Sequence, residues 1–286
     1  MPKPPTAEGQ RPRPGDLFLD HVAHELADPD ATTRFFETLG FVVTPAQASA
    51  GGATTRRVML EEGCIELVAA SGVAAPLRRL AFGTPDAAAE HGRLAAHGFS
   101  PPPIARHEFD LEGQCVRYAV VRARPVGFPD SCLEFVEQQR PAGLWQPRFL
   151  RHQNGVEVLV AVIICADDPA ETGARIAHFG GMLPWRAGPY VRLETARGQI
   201  LVGARADCRA LFGQAPAASA IAGYALACQD PAAFAGRCER AGLPVLGRGA
   251  LRVTALPGML GGSWMFGKLE ALRDALASPS DTAWRS

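Results

Sequence analysis

Three short strings in this chain hold residues able to bind a metal or move a proton. They are LDHVAHEL, with His21 and His24, CIELVAA, with Glu66, and SCLEFVEQ, with Glu134. Each string is otherwise apolar and strand-like. Because strand side chains alternate with a period of two, His21, Ala23 and Glu25 fall on one face and Val22, His24 and Leu26 on the other. The two histidines therefore cannot serve one cleft. If Val22 and Leu26 face the helices, His21 looks to the side where a site would lie and His24 is a filler. An acid flanked by apolar strand residues, as Glu66 and Glu134 are, is rarely buried without a partner. Two kinds of partner are open: a metal, or an arginine such as Arg56, Arg57, Arg79 or Arg117 on a neighbouring strand-like run.

Other groups carry less. His107, in ARHEFD, reads as a surface-loop residue able to act as acid or base, and His152, beside an Asn-Gly turn, as a shaper of a domain junction. Trp145 and Trp264 could line an apolar pocket, although aromatics in strands and junctions are normally core. Cys165 and Cys228 sit in apolar strands and read as small buried hydrophobes. The glycine-dense GMLGGSWMF precedes a strand rather than a helix and lacks the geometry of a phosphate loop. No nucleophile elbow, phosphate-binding motif or dinucleotide fingerprint is visible.

The elements that must position these residues repeat four times in one local grammar: a strand, an aspartate-proline turn, a helix closed by glycine, then further strands. The helices read from DPDATTRFFETLGF, DAAAEHGRLAAHGF, DDPAETGARIAHFGG and QDPAAFAGRCERAGLPV, with Asp28 or Asp30 as the cap of the first. One such unit cannot cover both faces of its sheet, so the units must pair into two domains. The string QQRPAGLWQPRFLRHQNG breaks periodicity between the second and third units, with Trp145 and Phe149 expected to pack between the halves.

Composition narrows the partners. The chain has 286 residues, with 29 basic and 29 acidic residues well interspersed, so no charge footprint points to nucleic acid or to a membrane surface. The proline-rich N-terminus lacks an apolar signal region, and no run approaches the roughly 18 apolar residues of a membrane span. Seven cysteines without a paired motif suit free thiols in a reducing compartment, hence a cytoplasmic protein. The expected partner is a small-molecule substrate or ligand, not nucleic acid or membrane.

The unit order, with His21 in LDHVAHEL, Glu66 in CIELVAA and Glu134 in CLEFVEQ, resembles the vicinal oxygen chelate superfamily, to which glyoxalase I and the extradiol dioxygenases belong. The N-terminal half is most similar to its glyoxalase-like domain proteins, with WQPRFLRHQNG following as their later tryptophan and His-x-Asn-Gly segment. The resemblance implies an α+β fold of four βαβββ modules paired into two tandem domains. Its expected divisions are a disordered tail over residues 1–15, a glyoxalase-like domain over 16–140, a junction over 141–155, a degenerate second domain over 156–268, and a C-terminal helix and tail over 269–286.

The resemblance also implies a divalent metal, iron, manganese, nickel or zinc, held by a His on the first strand and a Glu on the last strand of each module. Carried over by position, the ligands are His21, Glu66 and Glu134, with Glu66 and Glu134 as the catalytic proton carriers. The fourth place falls on Arg79, Leu80 or Ala81, none of which is a histidine. In the C-terminal half VAVIICA, YALACQD, GQILVGA and GSWMFG leave all four places bare. The activity implied is isomerase, lyase or dioxygenase chemistry on a small molecule with vicinal oxygens. The alternative is a metal-free binding or sequestration protein of the same fold, its glutamates neutralised by arginine. Four modules in one chain can satisfy module pairing internally, so a monomer or simple homodimer is expected.

Overall fold

A computed structural model describes residues 7–48, 53–70, 76–122 and 132–277. The first unit is β1 (Phe18–Leu26), α1 (Pro29–Thr38), β2 (Gln47–Ala48), β3 (Thr54–Met59) and β4 (Cys64–Ala69). The second is β5 (Leu77–Gly83), α2 (Ala87–Ala96), β6 (Ala105–Leu111), β7 (Gln114–Arg122) and β8 (Cys132–Gln138). A short helix, α3 (Pro147–Leu150), lies in the connection. The third unit is β9 (Val156–Cys165), α4 (Pro169–Gly180), β10 (Pro184–Ala187), β11 (Tyr190–Glu194) and β12 (Gln199–Gly203), followed by α5 (Arg205–Phe212). The fourth is β13 (Ala220–Cys228), α6 (Pro231–Arg240), β14 (Val245–Arg248), β15 (Leu251–Ala255) and β16 (Ser263–Gly267), followed by α7 (Leu269–Ala277).

The helix grammar has a direct physical counterpart. Asp28, Asp86, Asp168 and Asp230 each accept hydrogen bonds from backbone amides of the first turn of α1, α2, α4 and α6. A helix start leaves those amides without partners, and a carboxylate satisfies them. Asp28 is thus the cap of α1, and Asp30 instead pairs with Arg56. Gly40, Gly98, Gly181 and Gly242 take positive φ where the chain leaves each helix.

Two eight-stranded sheets result, ordered β2-β3-β4-β1-β5-β8-β7-β6 and β10-β11-β12-β9-β13-β16-β15-β14. In each, the two first strands meet antiparallel at the centre and each last strand lies parallel to its own first strand. One face of each sheet joins α1, α2, α4 and α6 in a single apolar core: Val22, Leu80, Val162 and Tyr224 from the strands pack with Phe36, Leu94, Phe179 and Phe234 from the helices. Rings cross between the halves, with Phe36 5.7 Å from Trp264 and Phe135 4.7 Å from Phe179, centroid to centroid. His24 belongs to this layer, donating from Nδ1 to the Leu260 carbonyl at 2.8 Å and meeting the Tyr224 hydroxyl at Nε2 at 3.0 Å.

Two details differ from the sequence reading. Trp145 and Phe149 do not lie between the halves. They pack with Met59, Cys64 and Val116 on the N-terminal half, and the Trp145 indole donates to the Leu60 carbonyl at 3.0 Å. The domain junction is fastened, as expected for His152, by its Nε2, which donates to the Met59 carbonyl, and its Nδ1, which accepts from the Val42 amide, and also by Asn154 on the Leu39 carbonyl. Residues 7–15, expected within a disordered tail, begin with a 3-10 turn at Ala7–Gln10. There Gln10 is buried and donates to the Glu61 carbonyl at 2.8 Å. Residues 1–6 and 278–286 lie outside the described part. Among the described residues all seven cysteines are unpaired with one another, and no helix is long and apolar enough to cross a membrane.

Candidate functional site

His21 and Glu66 face the same side because β1 and β4 run parallel in a register that sets His21 beside Cys64 and Ala23 beside Glu66. The second module repeats this pairing, with Arg79 beside Cys132 and Ala81 beside Glu134. Arg79 is therefore the counterpart of His21, at the place where the resemblance implied a fourth ligand. The third strands repeat as well: Arg57 on β3 is the cross-strand neighbour of Glu66, and Arg122 on β7 that of Glu134.

These side chains meet over one cavity of about 360 Å³ on the face of the first sheet away from the helices. His21 Nε2 lies 3.5 Å from Glu66 Oε2 and 3.3 Å from Glu134 Oε1. The second oxygen of each carboxylate is held by an arginine: Arg57 Nε donates to Glu66 Oε1 at 2.7 Å, and Arg122 Nε to Glu134 Oε2 at 2.9 Å. Arg79 spends one amine on Glu25 Oε1 at 2.7 Å. The other side of the imidazole is tied down too, because His21 Nδ1 donates to Asp20 Oδ1 at 2.8 Å. Adjacent strand residues ordinarily point to opposite faces, but the β1–β5 register shifts between Leu19 and His21, and such a bulge lets Asp20 join His21 at the cavity.

Of the four arginines named as possible partners of the acids, only Arg57 makes a direct pair with Glu66 or Glu134. Arg56 pairs with Asp30, Arg117 with Glu108 and Arg79 with Glu25. The partner of Glu134 is Arg122, which the sequence reading missed. His107 is not a surface-loop residue. It lies on β6, lines the cavity and stacks on Tyr118 with ring centroids 4.7 Å apart. Trp264 is wholly buried between the halves, and Cys165 and Cys228 are buried among apolar neighbours.

The charges couple tightly. Burial works against a charged His21, yet Glu66, Asp20 and Glu134 push its pKa up to about 10. Burial likewise works against ionised glutamates, but Arg57 and His21 hold Glu66 below the usual carboxylate range. Arg79, His21 and Arg122 do the same, more strongly, for Glu134. Burial, with Asp20 and Glu66 nearby, raises the Cys64 thiol far above its ordinary value.

Two donor groups could receive a cation. Ligating atoms of Asp20, His21 and Cys64 lie within 4.8 Å of one another. In that group, however, His21 Nδ1 and Asp20 are spent on each other, and Cys64 is held as a thiol, whereas the thiolate is the ligating form. On the opposite edge of the ring, His21 Nε2 is buried and has no hydrogen-bond partner among the described residues, while it faces one oxygen of each glutamate. A carboxylate on Nδ1 is the arrangement that leaves Nε2 as the electron-pair donor of a ligating histidine. The donor set His21, Glu66 and Glu134 thus fits a divalent ion, with Asp20 orienting it. The same atoms without an ion hold an imidazolium.

Comparison with solved structures places this architecture. The chain superposes on a hypothetical protein from Staphylococcus aureus with a TM-score of 0.61 at 12% identity, covering 88% of this chain and 99% of that one. It superposes on a triple mutant of 4-hydroxymandelate synthase from Streptomyces coelicolor at 0.60 and 15% identity, covering 92% and 97%. The fold is of the vicinal oxygen chelate type. A fusion of a xylose isomerase-like TIM barrel with 4-hydroxyphenylpyruvate dioxygenase also aligns, at 0.58 and 13% identity, over 94% of this chain and 53% of that one. No family model matches the sequence, and no curated protein matches it.

Proposed function

We propose that the protein is a divalent-metal-dependent enzyme of the glyoxalase-like, vicinal oxygen chelate type that acts on a small molecule with neighbouring oxygens. The observation that carries this reading is the buried Nε2 of His21, oriented by Asp20 and facing one oxygen each of Glu66 and Glu134. His21, Glu66 and Glu134 would hold iron, manganese, nickel or zinc, which as a Lewis acid would polarise a bound substrate oxygen.

The chain's own residues supply the rest. Arg57 and Arg122 fix one oxygen of each glutamate, so the other oxygen is presented in a set direction and the carboxylate stays ionised near neutral pH. An ionised, positioned carboxylate can take a proton from a substrate carbon or hydroxyl and return it elsewhere, the role proposed for Glu66 and Glu134. Tyr118, stacked on His107, gives the cavity a flat wall. Isomerisation, lyase action and oxygenation all fit this outline. The name of one solved structure of this fold, a fusion containing 4-hydroxyphenylpyruvate dioxygenase, favours the last. Four modules in one chain support action as a monomer or simple homodimer, and the unpaired cysteines support a cytoplasmic setting.

A second reading has its own observation. Each glutamate already has an arginine, and His21 between them is pushed toward its charged form, which is a self-sufficient set for a metal-free binding protein. Metal analysis of untagged protein purified without chelator, beside a His21→Ala, Glu66→Gln double variant, separates the two. Near-stoichiometric metal that vanishes in the variant is expected. Absence of metal in both, even after loading, would overturn the enzyme reading.

A further inference from the structure

The cavity holds more cationic donors than its acids consume. Three arginines (Arg57, Arg79, Arg122) and three acids (Asp20, Glu66, Glu134) line it, so their formal charges cancel. The arginines nevertheless keep unused hydrogen-bond donors. Arg79 Nε and Arg57 Nη1 are buried without a partner among the described residues. Arg122 gives its Nε to Glu134 and leaves both terminal amines without a described partner, in a side chain 41% exposed. Buried guanidinium donors without acceptors cost stability, and a guanidinium fork matches a carboxylate in shape and charge.

The arginines are not interchangeable decoration of the sheet. Arg57 and Arg122 are repeats of one position, and each serves the glutamate of its own module. Arg79 repeats the position of His21; its described ion pair is with Glu25, and its charge also acts on Glu134. Arg79 and Arg122 lie on the strands flanking β8 and so bracket Glu134. The stacked Tyr118 and His107 stand on the same module, and His107 Nε2 is another buried atom without a described partner.

We infer that the ligand of this cavity is a small carboxylate, received by Arg79 and Arg122 on the second-module side, beside Tyr118. The inference rests on the cavity being the working site, whichever way the metal question falls. In place of a fourth metal ligand, the second module supplies a fixed positive charge that selects an acid over its neutral analogue.

Calorimetric titration with salicylate and with salicylamide, on zinc-loaded and on metal-stripped protein, tests this. Salicylate is expected to bind about tenfold or more tightly than the amide, as charge-assisted recognition at a buried site demands. In Arg122→Gln the preference should fall toward parity, while Arg122→Lys retains part of it. Arg79→Gln should act in the same direction, and a thermal melt of each variant shows that it is folded. Equal affinity for the two probes, no binding of either at millimolar concentration, or a preference untouched in folded Arg122→Gln and Arg79→Gln would each overturn the inference. A preference that persists in metal-stripped protein supports it even if metal analysis fails the enzyme reading, so the two failures are distinguishable.

Discussion

The two halves share one topology and use the same face of the sheet in opposite ways. In strand register, His21, Arg79, Ala161 and Gly223 occupy one repeated position, and Glu66, Glu134, Leu201 and Met265 another. The N-terminal set is charged and borders a cavity. The C-terminal set is small or apolar and is covered by α5 and α7, whose Leu211, Phe212, Leu272 and Leu276 pack on Ala161, Leu201, Ala225 and Met265. Gly223 shows how complete that covering is: a Cβ there would stand 2.2 Å from the Ser263 carbonyl and 2.9 Å from the Phe212 ring. The charged face stays open; the apolar one gains stability by being filled, at roughly 25 cal/mol per Å² of apolar surface removed from water.

The sharpest way to break the comparison is to exchange the halves' chemistry. Met265→Glu places a carboxylate at the counterpart of Glu66 and Glu134 but in an apolar core, where its cross-strand neighbour is Val253 in place of an arginine. A loss of about 3–5 kcal/mol, or outright failure to fold, is expected in denaturant titration. Tolerance of this glutamate would show that the C-terminal face is not the filled core described above. In the N-terminal half, Arg57→Met removes the partner of Glu66, and both side chains are at least nine-tenths buried. About 3 kcal/mol should be lost, near the low end for a broken buried pair because His21 still faces the acid. A neutral result would mean that Glu66 does not depend on its arginine.

The layer between the halves has its own pH signature. His24 is buried and its pKa is lowered from 6.5 to about 4, burial outweighing the Leu260 hydrogen bond. Above pH 6.5 it is neutral whether folded or unfolded, and no pH dependence arises. As the pH falls from 6.5 toward 4 the unfolded chain takes up the proton first, so stability declines by roughly 1.4 kcal/mol per unit, about 3 kcal/mol by pH 4. The stability profile of His24→Gln should be flatter across that window; an unchanged slope would remove His24 as the cause. At the small end, Arg117→Ala breaks only the exposed pair with Glu108 and should leave both the melting temperature and metal content unchanged. A shift in either would tie that outer pair to the site.

Much of the fold was legible because its signals are local. An aspartate that caps, a proline that fits a first turn and a glycine that tolerates positive φ act over a few residues, so four repeats could be counted along the chain. His21, Glu66 and Glu134 stood out because a polar group in an apolar strand demands a partner. Asp20 was hidden by the bulge that breaks strict alternation, and Arg122 by its place at the end of β7, since which arginine faces Glu134 depends on the pairing of β7 with β8. His107 read as a loop residue because ARHEFD is rich in charge. Its partial burial comes from Tyr118 across the strand pair, 11 residues away in sequence.

The sequence by itself determined the modules, their pairing into two sheets and the three ionisable residues that meet in the first half, because capping and strand periodicity are properties of neighbours in the chain. Only the tertiary structure decided which arginine neutralises which glutamate, that Arg79 stands at the counterpart of His21, and that α5 and α7 fill the second face. Those outcomes depend on register between strands and on which surfaces meet, and energies of burial and charge pairing are set by what lies within a few ångströms in space, however far apart in the chain.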